Sequence, residues 1–206
     1  IEGIQGGPGS GKNVGLYIHG GTLGSSTTTT LAVAAGSHGT GSTEVGILID
    51  SSGIVQCANS GVVTLIGFGS HDASGSGNYG VELSGASFLI GDTGGAASAT
   101  LSVTGQGTLG IGIDTAATTV TLSNASSSAT FTGLAIQGDG ILIDAAFSSS
   151  LLGAGSILLT GTGGSGFNGI AVNAAITVYS SHTSGSDQFH LYLRWRDQRS
   201  LYWFHE

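Results

Sequence analysis

Gly46-Ile47-Leu48-Ile49-Asp50 returns, residue for residue, at Gly140-Ile141-Leu142-Ile143-Asp144, and with one change at Gly110-Ile111-Gly112-Ile113-Asp114. The same step, a glycine followed by apolar-x-apolar, opens at Gly15 (GLYI), Gly80 (GVEL) and Gly169 (GIAV). The gaps between these six glycines are 31, 34, 30, 30 and 29 residues. A repeat of roughly 30 residues marks one supersecondary unit that buries its apolar face only by stacking on copies of itself.

After each glycine the apolar residues alternate with period two, the pattern of a strand with one buried face. The pairs expected to point inward are Leu16/Ile18, Ile47/Ile49, Val81/Leu83, Ile111/Ile113, Ile141/Ile143 and Ile170/Val172. Those between them, Tyr17, Leu48, Glu82, Gly112, Leu142 and Ala171, are expected to face out. Two weaker apolar runs complete each unit. The middle run holds Leu23, Ile54-Val55, Phe88–Ile90, Val120–Leu122, Leu151-Leu152 and Ile176–Val178. The last holds Leu31–Val33, Val63–Leu65, Leu101–Val103, the surroundings of Phe131, and Ile157–Leu159. Gly/Ser/Thr/Asn segments separate the runs, as turns demand. Three short strands per unit predict an all-β parallel β-helix, a β-solenoid of about six coils, over residues 1–178. Six coils spaced by about 4.8 Å give a rod about 29 Å long.

The chain's 39 glycines are compatible with this reading and with few others. There is no G-X-Y triplet, the single proline is Pro8, and 39% of residues are hydrophobic against 8% charged. Collagen, polyproline linkers and charged disordered chains are thereby excluded. The basic residues are Lys12, Arg194, Arg196 and Arg199, so no Lys/Arg stripe exists along the repeats to neutralise phosphates. Nucleic-acid binding is excluded on that ground. A body bearing only carboxylates attracts cations instead, Ca²⁺ among them. Cys57 stands alone, so no internal disulfide framework exists, and it is expected to be buried. No stretch reaches the roughly 18 consecutive apolar residues of a transmembrane segment. The chain begins at Ile1 and contains no methionine, which reads as a processed chain or an internal piece.

From Tyr179 onward the pattern changes. Residues 179–206 hold Arg194, Arg196 and Arg199 and are rich in aromatics. Phe189, Leu191, Leu193 and Trp195 alternate with His190, Tyr192, Arg194 and Arg196, predicting a strand or hairpin that caps the rod or meets another subunit.

Segments such as ILLTGTGGSGFNGIAV (157–172) and SGNYGVELSG (76–85) resemble the β-strand repeats of large bacterial surface proteins. These are the filamentous-hemagglutinin-type and autotransporter-passenger adhesins, and the resemblance covers roughly residues 3–178. It implies a secreted, right-handed parallel β-helix acting as a stalk or adhesive surface, and it carries over no catalytic residue.

Chemistry is sought in four places. Gly6–Lys12 spells GxxxxGK, but Asn13 follows the lysine and a strand follows that, so the P-loop context of helix and Mg²⁺-binding Ser/Thr is missing. Four residues after each anchor glycine lies a polar column: His19, Asp50, Ser84, Asp114, Asp144 and Asn173. Strand-end turn bonding explains such a column. Asp114 and Asp144, on adjacent coils, are also the candidate metal ligands, since a bridging Ca²⁺ would relieve their repulsion. His38 and His71, in matching Gly-Ser-His frames, with Asp72, are candidates for Zn²⁺. Finally, Asn124-Ala125-Ser126 is a glycosylation sequon.

The expected function is a non-catalytic structural or adhesive segment of an extracellular bacterial surface protein. Its loops, residues 66–79 above all, would meet glycan or other subunits. Self-association is expected end to end, or laterally through the partly apolar outer column Tyr17, Leu48, Leu142. The alternative is a polysaccharide-degrading β-helix enzyme, a lyase or glycoside hydrolase, working through paired carboxylates among Asp50, Glu82, Asp114 and Asp144. The NTD, DD and RIK sequences of polygalacturonase-like enzymes are absent. Thr27–Thr30 and Thr118-Thr119 are threonine-rich, but an ice-binding array is disfavoured because no T-x-T column repeats in register.

Overall fold

The computed structural model describes residues 2–5, 13–39, 41, 43–70, 77–91, 97–124, 126–152, 155–181 and 192–194. The short extended segment β1 (Glu2–Gln5) comes first. The first repeat then gives β2 (Asn13–His19), β3 (Thr22–Gly24) and β4 (Thr30–Ser37), and the second β5 (Glu44–Asp50), β6 (Ile54–Cys57) and β7 (Val62–Phe68). The third and fourth give β8 (Tyr79–Ser84), β9 (Ser87–Ile90), β10 (Thr100–Gly107), β11 (Leu109–Ile113), β12 (Thr118–Leu122) and β13 (Ser128–Ala135). Next come β14 (Ile141–Ile143), β15 (Phe147–Leu152), β16 (Ser156–Thr162), β17 (Ile170–Val172), β18 (Ile176–Ser181) and β19 (Tyr192–Arg194).

Every third strand pairs with the next, and every pairing is parallel. Sheet A runs β1-β4-β7-β10-β13-β16-β19, sheet B β2-β5-β8-β11-β14-β17, and sheet C β3-β6-β9-β12-β15-β18. The fold is therefore an all-β parallel β-solenoid of about 5 turns of ~31 residues, with three strands in each coil. No helix among the described residues is long and apolar enough to cross a membrane.

The repeat glycines set the register. Ile47 faces Val81, Val81 faces Ile111, Ile111 faces Ile141 and Ile141 faces Ile170, so one aliphatic row runs along the axis. Val55, Phe88, Val120 and the row from Val63 to Leu159 close the interior from sheets C and A. Phe88, Phe131 and Phe147 stack edge to face at its centre, with ring centroids 5.8 and 5.6 Å apart. Such pairs stabilise beyond their buried area. Cys57 is buried in the same interior, and burial pushes its thiol pKa up despite a backbone hydrogen bond at Gly91.

Two inward expectations fail, both near the ends of the stack. Val172 is 44% exposed and Leu16 only partly buried, because the outermost strands of sheet B have a neighbour on one side only. Three outward expectations fail for a different reason. Leu48 is 3% exposed, and Glu82 and Gly112 are also buried. Tyr79 folds over the outer face of sheet B, where Val45, Leu48 and Tyr79 form a second apolar cluster flanked by Val14 and Leu109. Its ring lies on Gly112, where a Cβ would sit 2.4 Å from a ring carbon. Glycine at this outward position thus makes room for an aromatic lid.

The anchor glycines do more than punctuate. Sheets A and B meet along a seam built from two interleaved glycine columns. Gly80, Gly110, Gly140 and Gly169 supply one side, and Gly67, Gly105, Gly133 and Gly161 the other. A Cβ on Gly133 would lie 1.8 Å from the Gly140 carbonyl oxygen, and one on Gly161 1.7 Å from that of Gly169. Only a residue without a side chain permits such backbone approach.

Candidate functional site

The outer face of sheet B gathers the chain's chemistry. Among residues whose side chains are described, the carboxylates are Glu44, Asp50, Glu82, Asp114, Asp139 and Asp144, and each lies in or beside a sheet B strand. The polar column forms at the turn from sheet B to sheet C. His19 pairs with Asp50 and Asp50 with Ser84. On the next two strands the same turn position is taken by Asp114 and Asp144, whose amides bond the Leu83 and Ile113 carbonyls. The turn has a mechanical reason. Gly20, Ser51, Gly85 and Thr115, each one residue beyond the column, adopt positive φ of 60°, 51°, 77° and 57°. A left-handed residue there re-aims the chain into sheet C, and short polar side chains beside it bond locally. The Ser84 and Thr115 hydroxyls bond each other across that turn.

At the first two strands the column becomes a trio. The Tyr17 hydroxyl donates to Asp50 Oδ2 at 2.9 Å, and His19 Nδ1 lies 2.6 Å from Asp50 Oδ1 and 3.0 Å from the Tyr17 oxygen. Desolvation pulls the Asp50 carboxyl upward, but bonds from His19 and Tyr17, the His19 charge and a Ser51 bond together hold it below its ordinary range. Donation to Asp50, then burial and the charges of Asp50 and Glu82, raise the Tyr17 hydroxyl. Tyr17, His19 and Asp50 thus form one hydrogen-bonded strut across the first two strands of sheet B.

Farther along, Tyr79 is pushed up to about 12, first by burial and then by Asp114, Glu82 and Asp144. The two candidate calcium ligands thus stand near one buried phenol. Asp144 Oδ1 accepts from Asn173 Nδ2 at 2.6 Å, the next rung of the column. Ca²⁺ takes roughly six to eight oxygens. Among the described residues no group of three His, Cys, Asp or Glu converges on one point. The strand-end ladder accounts for what is seen at Asp144. His38 is exposed, while His71, Asp72 and the Gly6–Lys12 segment lie outside the described residues.

One polar site escaped the sequence reading. Glu44 is fully buried where sheet A turns into sheet B. Its carboxylate accepts from Asn13 Nδ2 at 2.6 Å, from the Gly39 and Gly41 amides at 3.2 Å each, and from the Ser37 hydroxyl. The Glu44 amide donates to Asn78 Oδ1 at 2.9 Å. Asn13, Glu44, Asn78 and Thr108 each stand two residues before an anchor glycine, a column that could have been seen. A buried carboxylate with four donors ties Gly39 and Gly41 to the rod. The sequon, in contrast, is structurally closed. Asn124 is 0% exposed and its amide donates to the Asn59 carbonyl at 2.6 Å, so it is in no position to receive a glycan.

The fold and this face define a β-solenoid with an anionic flank. Compared against protein families, curated proteins and solved structures, the chain matches none.

Proposed function

We propose that the chain is a non-catalytic structural or adhesive segment of an extracellular bacterial surface protein. It works as a stiff rod that presents its loops to glycan and other subunits and joins into fibres. The observation that carries this reading is the continuity of the ladders. Register is kept across β4, β7, β10, β13 and β16 without a slipped residue, so bending the rod means breaking parallel pairing in three sheets together. Each coil takes its stability mainly from its neighbours, the mechanics of a stalk.

A screen against acidic and neutral polysaccharides, with a glycan array beside it, tests the proposal. Binding without turnover is expected. Turnover lost in Asp114→Asn would overturn it in favour of a lyase or hydrolase.

A further inference from the structure

The outer face of sheet A differs in kind from that of sheet B. Its strands β4, β7, β10, β13 and β16 contain no Asp, Glu, Lys, Arg or His. Two hydroxyl-rich columns run along its middle in register. One is Ala32, Thr64, Ser102, Thr130 and Leu158, and the other Ala34, Ile66, Thr104, Thr132 and Thr160. As expected, no T-x-T step repeats in register: the steps Thr130/Thr132 and Thr160/Thr162 are offset, since Thr132 pairs with Thr160. Toward the rims Val62, Phe68 and Leu134 are exposed, as is Leu158 in the first column.

We propose that two copies of the chain pair side by side through this face, antiparallel about a two-fold axis at Thr104. The inference deepens the rod reading by naming the surface of lateral assembly. Three observations point to a second copy. First, the chain carries a formal net charge of −8, and the described carboxylates flank sheet B. Two such rods repel unless they approach through the uncharged face. Second, the Thr104 column is centred on the stack. Glu2 pairs with Ala34 in register, and Arg194 with Thr160. Thr104 is the fourth of these seven positions, so a two-fold axis there lays the β1 end of one copy over the β19 end of the other with the whole face covered. A closed dimer of this kind is isologous, the commonest arrangement for identical chains. Third, the area suffices. Five strands about 4.8 Å apart and about 23 Å long present about 550 Å² per copy, hence about 1,100 Å² in all, above the ~1,000 Å² of a specific interface. Sheets packed this way lie about 10 Å apart, with threonine methyl groups and the rim residues interleaving.

The test is sedimentation of the whole chain at micromolar concentration, with mild oxidation of a Thr104→Cys variant. A mass twice the 20.2 kDa of one chain is expected. The cysteine variant should cross-link to itself, while Thr119→Cys on the outer face of sheet C should not. Thr104→Arg and Thr132→Glu, both on the surface, should each return the mass to one chain while the far-ultraviolet spectrum stays β-type. A single-chain mass for the unaltered protein, or paired Thr104→Arg, overturns the proposal. Single rods that still bind glycan or join end to end overturn pairing alone, leaving the stalk reading in place. Polysaccharide turnover by paired rods would overturn the stalk reading and leave pairing in place.

Discussion

Replacing Gly133 by alanine adds one methyl group at the narrowest place in the rod. Its Cβ would lie 1.8 Å from the Gly140 carbonyl oxygen, 2.5 Å from the carbonyl carbon and 2.8 Å from Ile141 Cγ1. Real Cβ atoms essentially never approach within 3.0 Å of another heavy atom, so the seam must open by more than an ångström. Neither wall is free to move. Gly133 is laddered to Gly105 on one side and Gly161 on the other, and the Gly140 oxygen accepts from the Ile111 amide at 2.9 Å. Overpacking of this kind costs about 1–3 kcal/mol. Pulling Gly140 away from Ile111 strands a buried donor, for about 1–3 kcal/mol more. Alanine's smaller unfolded-state entropy returns about 0.4–1 kcal/mol. The net destabilisation is about 2–5 kcal/mol, a fall of about 5–15 °C in the melting midpoint of a chain this size. Gly21→Ala is the matched control. Its Cβ meets nothing nearer than His19 O at 3.9 Å and its φ is not positive, so it should leave stability unchanged or raise it slightly. Thermal and urea unfolding of both variants decide the matter. Equal stability of Gly133→Ala and Gly21→Ala would refute the seam.

Three further outcomes follow from the interior and the sheet B face. Phe131→Ala removes the middle ring of the edge-to-face stack and should destabilise by about 3–5 kcal/mol in urea unfolding, with Phe131→Leu losing clearly less. Ser149→Ala should stabilise by about 1 kcal/mol, because the buried Ser149 hydroxyl has no partner and sits in register between Val120 and Val178. Tyr79, ordinarily ionising near 10, stays protonated to about 12 in the folded protein. Its contribution to stability is therefore complete below pH 10 and lost as pH rises from 10 toward 12. Phenolate absorbance of the folded protein should contain a component centred near 12 that is missing in Tyr79→Phe, and the same variant should flatten the 10-to-12 part of the stability profile.

Period-two alternation after a repeated glycine was enough to place Ile47, Ile49, Val81, Leu83, Ile111 and Ile113 in the interior, because a parallel coil buries one strand face. Periodicity says which face a residue takes, and nothing of what later covers that face. Leu48 was misread for that reason: its lid, Tyr79, arrives from the next coil. A lateral contact through Leu48 is closed by the same lid. The second glycine column was hidden differently. Gly67, Gly105, Gly133 and Gly161 precede their anchors by 13, 5, 7 and 8 residues, so loop length scrambles a spacing that space keeps constant. Of the candidate site, the His19–Asp50 and Asp144–Asn173 contacts were legible as a column. The Glu44 cradle was not, since two of its four donors are backbone amides.

These features have one physical origin. Backbone contact between sheets A and B leaves the coil little width at the seam, and the remaining interior is filled by aliphatic rows and the phenylalanine stack. Side chains able to bind or react are left on the outside, where the turn into sheet C demands short polar residues beside a left-handed backbone. Carboxylates settle there because that turn supplies donors: Ser51, His19 and Tyr17 for Asp50, and Asn173 for Asp144. Strands β4, β7, β10, β13 and β16 of sheet A carry no charged residue, and the buried carboxylate where sheet A turns into sheet B, Glu44, has its charge met by internal donors. The carboxylates of the column therefore sit at the turn out of sheet B, and the middle strands of sheet A are left neutral. That leaves one face on which two negative rods can meet.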